Sequence, residues 1–418
     1  MKKKLLSIFL VGVLTLSCLT GCQPWPPKDI EKPVTQEEPT QKEDEKPEDT
    51  PTEVNKEAIG FSEFDSGLIT YLNQSKSEDN YMVSPLSLKM ALALLAAGAE
   101  TNTLDEILDA TGFETRDDYL VWANLMSTLE FEEKNEYQDS AFSIGYGIWH
   151  NSDKPGEFKE AYKENLKELN IMFDEVPGDK LHEEINNWVD KKTKGLIPNL
   201  INQPIPDAIN VLVNTIYLKG NWYLQFDEYN TKEGDFTTIN DEVVQKKLMN
   251  QTEDFLYYDD ENCQVLIMSM DNGFKTAFVL GENTNIKQKI QAAERTLVNV
   301  TLPKFEIETS MEEEISAYLK ESGMVKAFDM VQANFNAMFD VPTHVDKIIQ
   351  KTKISLDEKG AEAAAATAII MKDNAVILEE EPPKPIDFIA NKPFTFYIYS
   401  DSQELTEPEL IFYGQYVE

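Results

Sequence analysis

Cysteine and histidine are nearly missing from this 418-residue chain, which carries three of each. Cys18 and Cys22 sit in an N-terminal stretch set apart from Cys263, so no disulfide framework is available. Stability has to come from a large apolar core instead, which a body of about 360 residues can supply. The scarcity of histidine bears on catalysis. Only His150, His182 and His344 could serve as bases or metal ligands, and His182-Glu183-Glu184 has no second histidine four residues on, as a zinc-binding helix needs. Gly145-Tyr146-Gly147 lacks a third glycine, and neither a Gly-x-Ser-x-Gly elbow nor a phosphate loop occurs. Cys263 lies among tyrosines and acids and reads as a passive side chain. Pairs such as Asp259-Asp260 are too common in so acidic a chain to mark acid–base chemistry. The expectation is a protein that is not an enzyme and uses no metal and no cofactor.

Positive charge is also short. With 38 basic against 75 acidic residues the net charge is -37, a field that repels phosphate backbones and anionic lipid headgroups. A nucleic-acid partner is therefore excluded, and a soluble monomer is expected.

What is present begins with Met1-Lys2-Lys3-Lys4 and the apolar run Leu5 to Leu16, a charged start and a hydrophobic middle too short to span a bilayer comfortably. Leu19-Thr20-Gly21-Cys22 follows and resembles the lipobox of bacterial lipoproteins, where cleavage before the cysteine leaves a diacylglycerol-modified N-terminus. From Gln23 to Lys56 the chain holds seven prolines, ten acidic and five basic residues, with too few aliphatic side chains to bury a core. Such a segment is a tether, spanning roughly 30 Å as a coil and about 100 Å as polyproline II. The expected organisation is a lipoprotein signal peptide at 1–21, a lipidated Cys22 with an acidic proline-rich tether at 22–56, and one domain at 57–418. The expected place is outside the cell, held to its membrane only by lipid on Cys22.

Within the body no fixed repeat stands out, and helical and strand patterns mix without regular alternation, which argues for an α+β fold. Ser84-Pro85 ahead of Leu86, Leu88, Met90, Leu92, Leu94 and Leu95 reads as a capped, largely buried helix. Asn210 to Leu218 favours β structure and is apolar on both faces, the signature of a central strand. A strand from Leu302 to Glu308 should precede a helix from about Met311 to Glu321, opened by the box Ser310 with Glu313 and closed by Gly323. Two further strands, Pro393 to Tyr399 and Glu409 to Val417, are joined by a polar turn.

The most informative segment runs Asp357-Glu358-Lys359-Gly360-Ala361-Glu362-Ala363-Ala364-Ala365-Ala366-Thr367-Ala368. Propensity alone makes it a short alanine-rich surface helix. Its company suggests otherwise: Ser84-Pro85-Leu86-Ser87, Ile185-Asn186-Asn187-Trp188-Val189 with Thr193-Lys194-Gly195, Leu212-Val213-Asn214 with Lys219-Gly220-Asn221-Trp222, Pro303-Lys304-Phe305, Asn391-Lys392-Pro393-Phe394 and Phe412-Tyr413-Gly414. In this order and spacing the chain resembles the serpin family across nearly all of 57–418. The resemblance implies three β-sheets surrounded by eight or nine helices, with a reactive-centre loop held out as bait. It also implies inhibition of serine proteases as a suicide substrate, by covalent trapping while the cut loop inserts into the main sheet.

On that resemblance Glu358, Gly360, Ala361, Glu362, Ala363, Ala364, Ala365, Ala366, Thr367 and Ala368 form the hinge. Gly360 permits a sharp change of backbone direction, and the small side chains after it would not obstruct insertion. Ser84, Ser87 and Asn214 fall on the family's sheet-opening cluster, where Gln350 stands in place of the usual histidine and removes titration while keeping donors and an acceptor. Counting from the hinge glycine places the reactive bond between Asn374 and Ala375, with Lys372 and Leu378 as alternatives in a long loop whose Glu379-Glu380-Glu381-Pro382-Pro383 reads as a stiff stalk. Lys372 would draw trypsin-like enzymes, and Ala375, Ile377 or Leu378 elastase- or subtilisin-like ones. Two other readings stay open. One is a serpin fold that does not inhibit and serves as a binding or chaperone-like module on the cell surface. The other is a surface lipoprotein that binds solutes or adheres, which would explain Cys22 and the tether but not the hinge.

Overall fold

A computed structural model of the chain describes residues 58–134, 139–168, 171–361 and 384–418. Helix α1 (Glu63–Ser75) opens on a reciprocal cap in which the Asp65 N–H donates to Ser62 Oγ and the Ser62 N–H to Asp65 Oδ2, both at 3.1 Å. Strand β1 (Tyr81–Val83) leads into α2 (Pro85–Gly98), whose Ser84 cap and first-turn proline match the expected helix start. All fourteen residues of α2 are buried, so this helix is the axis of the core. A Leu→Ala change there would cost about 2–5 kcal/mol. Helices α3 (Thr101–Thr111) and α4 (Arg116–Ser127) pack beside it.

Strands β2 (Phe131–Lys134) and β3 (Asp139–Asn151) follow, then α5 (Glu160–Glu168), β4 (Met172–Val176), α6 (Leu181–Lys192) and β5 (Asn210–Asn221). Next come β6 (Lys232–Thr237), β7 (Val243–Asp259), β8 (Cys263–Ser269), β9 (Phe274–Gly281) and α7 (Ile286–Gln291). Strands β10 (Glu294–Pro303) and β11 (Phe305–Met311) precede α8 (Glu313–Glu321). The chain then forms β12 (Lys347–Leu356), the two-residue β13 (Gly360–Ala361), β14 (Ile386–Ile389), β15 (Phe394–Ser400) and β16 (Glu409–Tyr416).

These strands build one seven-stranded sheet in the order β11-β12-β13-β5-β3-β2, with β4 on β3. A nine-stranded sheet runs β1-β16-β15-β9-β8-β7-β10-β14, with β6 on β7. Hydrogen bonding thus joins the described residues into two sheets where the resemblance implies three. The 17-residue β7 accounts for the difference, because its first half pairs with β6 and its second half with β8, making one ladder of two regions. Strand β5 is buried along nearly its whole length between α2 on one face and α6 on the other, as its two-sided apolar sequence requires. A smaller core under α6 gathers Leu181, Ile185 and Val189 with Trp149, Val211, Val213 and Ile349.

The reading of residues 302–321 needs correction. The single strand expected from Leu302 to Glu308 is two: β10 ends at Pro303, Lys304 turns the chain, and β11 begins in the other sheet at Phe305. Ser310 does not cap α8, because β11 continues through Met311 in register with Gln350 of β12 and buries every second side chain. Sheet pairing takes Ser310 and Met311 before a helix can claim them, and Glu312 becomes the boundary residue with no side-chain cap. At the other end Gly323, with φ of 99°, terminates the helix as expected.

Candidate functional site

The seven-stranded sheet is closed at one end and wedged at the other. Strands β12 and β5 run parallel and pair from Lys347 opposite Val211 to Lys351 opposite Thr215. No described pair continues from there toward the end where β12 stops. Instead β13 sits between them, with Ala361 opposite Leu356 on one side and Gly220 on the other, and Gly360 opposite Asn221. Gly360 and Ala361 of the hinge already occupy a strand position. Gly360 is required for this: its φ is 152°, and a Cβ there would lie 2.1 Å from the Gly220 carbonyl oxygen and 2.6 Å from Asn221 Cα.

The turn into β13 is pinned by the segment that follows β5. Trp222 donates its N–H to the Lys359 carbonyl at 2.6 Å and its Nε1 to the Asp357 carbonyl at 3.0 Å, while Phe226 N–H bonds the Glu358 carbonyl at 2.9 Å. Glu358 is 5% exposed and accepts from Lys304 Nζ at 2.6 Å and Thr231 Oγ1 at 2.7 Å. Burial alone would push its carboxyl up, but these two donors outweigh that and hold it below the usual glutamate range. Around this pair lies a polar pocket of about 410 Å³ lined by Glu228, Lys232, Lys247 and Lys359 among others. Lys304 and Thr231 carry no sequence signal of this role, since they lie 54 and 127 residues from Glu358.

Where β12 and β5 pair, the first turn of α2 reaches both strands. Ser84 donates its N–H to Gln350 Oε1 at 2.9 Å, and Gln350 Nε2 donates to the Ser84 carbonyl at 3.0 Å and to Asn214 Oδ1 at 2.9 Å. Ser87 Oγ donates to the same Asn214 oxygen at 3.1 Å, and Ser84 Oγ to the Ile411 carbonyl of β16 at 2.7 Å. Ser84, Ser87, Asn214 and Gln350 are each no more than 1% exposed. One network therefore spans the two strands, with Gln350 directly opposite Asn214 in register. It is incomplete. Among the described residues Asn214 Nδ2 and the neighbouring Thr215 Oγ1 are buried with no hydrogen-bond partner. A buried orphan donor costs about 1–3 kcal/mol.

The sequence reading thus has four of its residues meet at the closed end and three, Glu358, Gly360 and Ala361, at the wedge. Glu362, Ala363, Ala364, Ala365, Ala366, Thr367, Ala368, Lys372, Asn374, Ala375 and Leu378 lie outside the described residues, as does Cys22.

The residues weighed for catalysis stay apart. His150 is buried with Nδ1 2.9 Å from Asn210 Oδ1, His344 pairs with Asp346 at 3.1 Å, and His182 lies on α6. Burial pushes the Cys263 thiol up, although Lys289 Nζ lies 3.0 Å from its sulfur. No cluster of His, Cys, Asp and Glu able to hold a metal is found among the described residues.

Comparison with known proteins bears on the same region. The Serpin family model, serpin (serine protease inhibitor), matches residues 61–418. A leukocyte elastase inhibitor of Xenopus tropicalis is 27% identical over 377 residues, covering 84% of this chain and 97% of that protein. The native-state structure of the thermophilic serpin tengpin aligns with a TM-score of 0.73 at 25% identity, covering 84% of this chain and 92% of tengpin. Human thyroxine-binding globulin aligns with a TM-score of 0.74 at 22% identity over 85% of this chain and 96% of that one, a likeness of fold.

Proposed function

The chain belongs to the serpin family, whose members are in general protease inhibitors rather than enzymes, and on that premise we propose that it is an irreversible, suicide-substrate inhibitor of serine proteases. A protease serine Oγ attacks the Asn374 carbonyl, the bond to Ala375 breaks, and Ala375 leaves as a protonated amine. Asn374 is left as an ester of the enzyme. The freed segment then enters the sheet between β12 and β5, carrying the acyl-enzyme away before water can hydrolyse the ester.

What carries this reading is the wedge: β13 already fills a strand position between two strands that pair only further down. Each further residue inserted gains ladder hydrogen bonds on both sides and buries alternate side chains. The fourteen residues from Ala361 to Asn374, at ~3.3 Å each, make a strand of roughly 46 Å. Subtilisin-, elastase- and trypsin-like enzymes are the candidate targets, and the leukocyte elastase inhibitor relative favours testing elastase early. On the same reading the N-terminal signal is removed, Cys22 is lipidated, and the inhibitor works as a monomer tethered outside the cell.

Mixing the full chain with each protease and resolving the products on a denaturing gel tests the trap. A detergent-stable adduct near the summed masses, with a released peptide beginning at Ala375, is the expected result. Clean cleavage by all three enzymes with no adduct would overturn inhibition in favour of a binding module. A Cys22→Ser variant should move from the membrane pellet to the supernatant, and an unchanged distribution would dismiss the anchor.

A further inference from the structure

Helix α2 is buried throughout, and its one charged residue is Lys89, whose side chain is only 6% exposed. Its ammonium lies 2.6 Å from Glu409 Oε1 at the start of β16 and 3.5 Å from Asp65 Oδ1 on α1, with side-chain exposures of 16% and 1% for the two acids. The Trp122 ring of α4 stands 5.0 Å from the ammonium, and Tyr119, also of α4, donates its hydroxyl to the Lys89 carbonyl at 2.6 Å. From α8, Tyr318 approaches Asp65 and donates to the Phe64 carbonyl at 3.0 Å. Two residues before Glu409, Glu407 pairs with Lys287 at the surface. One cation thus faces two carboxylates, Asp65 buried and Glu409 half-buried, and one negative charge of the group has no partner cation.

The position of this triad gives it a consequence for the sheet. Ser84 and Lys89 are the two points where the first turns of α2 are tied to β16, through the Ile411 carbonyl and through Glu409 two residues earlier. The same first turn carries the Ser84 and Ser87 contacts that bridge β12 and β5. Strands cannot part without disturbing the turn that this seat holds.

We infer that Lys89, Asp65 and Glu409 form a positioning group that seats the first turns of α2 and makes opening of the sheet slower in mild acid than at neutral pH. The inference rests on the proposed insertion of the loop for its kinetic part, while its native-state part stands alone. The sign follows from which state holds the proton. Burial, with Asp65 adding repulsion against the pull of Lys89, pushes the Glu409 carboxyl up. A carboxyl raised in the folded state binds its proton at a pH where the unfolded chain has released it, so native stability rises as pH falls through the raised value and levels off near the ordinary glutamate range of about 4.3. Above the raised value the closed state carries the unpaired charge, which loosening of α2 relieves by admitting water. Below it that incentive to open is gone.

The test compares the full chain with its Glu409→Gln variant, and with Asp65→Asn as a second way to remove the excess charge. Thermal midpoints are measured from pH 8 to 5, together with the rate at which loop-clipped protein acquires higher stability. Because a chain of net charge -37 gains stability in acid for general reasons, the difference between wild type and variant is the readout. The wild-type midpoint should climb more steeply with acid than either variant's, and insertion should slow more in wild type as pH falls, the difference growing toward about tenfold for each pK unit of the Glu409 shift as pH approaches 4.3. Parallel midpoint curves in both comparisons would overturn the inference. Diverging midpoints with no insertion at any pH would support the seat and remove the insertion reading instead.

Discussion

Because Glu358 is buried against Lys304 and Thr231, removing Lys304 leaves a carboxylate with one neutral donor in a place where water has little access. Lys304 itself is 34% exposed, so solvent already screens part of the pair, and Lys304→Met should cost about 1–2 kcal/mol rather than the larger loss of a fully buried partner. The pH dependence has a definite sign. A carboxyl held below its ordinary value contributes stability above about pH 4.3 and loses it as pH falls through the folded value. Wild type should therefore lose the Glu358 contribution only as pH falls below about 4.3, whereas in Lys304→Met, where burial is left to raise the carboxyl, that loss should be absent and the gap between the two chains should narrow in acid. Acid titration followed by tryptophan fluorescence checks this through Trp222, which bonds the same turn. Superimposed acid limbs would mean that the pair contributes nothing measurable to the hinge.

At the scale of elements, β13 is two residues long and exists only because position 360 tolerates a backbone that other residues avoid. Gly360→Val would set side-chain atoms against the Gly220 carbonyl and Asn221 Cα, backbone that cannot rotate away. The wedge should then fail to form and insertion should start late, so that deacylation wins more often. The expected outcome is a fall of tenfold or more, roughly 1.4 kcal/mol in the partition, in the ratio of trapped to merely cleaved protein on a denaturing gel. Retention of the wild-type ratio would show that pre-insertion of the hinge is irrelevant to the race. Elements also mark what could be read in advance. Helix α2, strand β5 and the β15–β16 pair announce themselves through local signals: a Ser-Pro start, a two-sided apolar run, alternation around a polar turn. The β11–α8 boundary did not, because a capping box at Ser310 and a strand register through Met311 compete for the same residues and only the partner strand β12 decides between them. Lys89 was hidden for a related reason. One lysine in an apolar helix says nothing until α1 and β16, at distances of 24 and 320 residues, bring it two carboxylates.

Across the whole molecule, the features that suggest stored free energy lie on one path from the wedge down the sheet: the hinge at β13, the orphan Asn214 Nδ2 below it, and the triad behind α2. The first two belong to the seven-stranded sheet, and the triad holds the turn of α2 that bridges it. Filling the gap between β12 and β5 with the residues from Glu362 to Asn374 would supply hydrogen bonds to both edges, and thirteen residues at a net ~1 kcal/mol each give a gain on the order of 10 kcal/mol. A body of about 360 residues unfolds with an entropy of roughly 0.75 kcal/mol per kelvin, so that gain corresponds to a rise of about 10–15 °C in the melting temperature. Limited proteolysis confined to 372–378, followed by calorimetry of the uncut and cut chains, measures it. An ordinary surface loop would leave the midpoint unchanged or lower it when cut, since cleavage only adds freedom to a segment that contributes no core. A rise of the expected size requires the severed segment to have become part of the sheet, and its absence would leave the wedge at β13 as a static feature of a non-inhibitory fold.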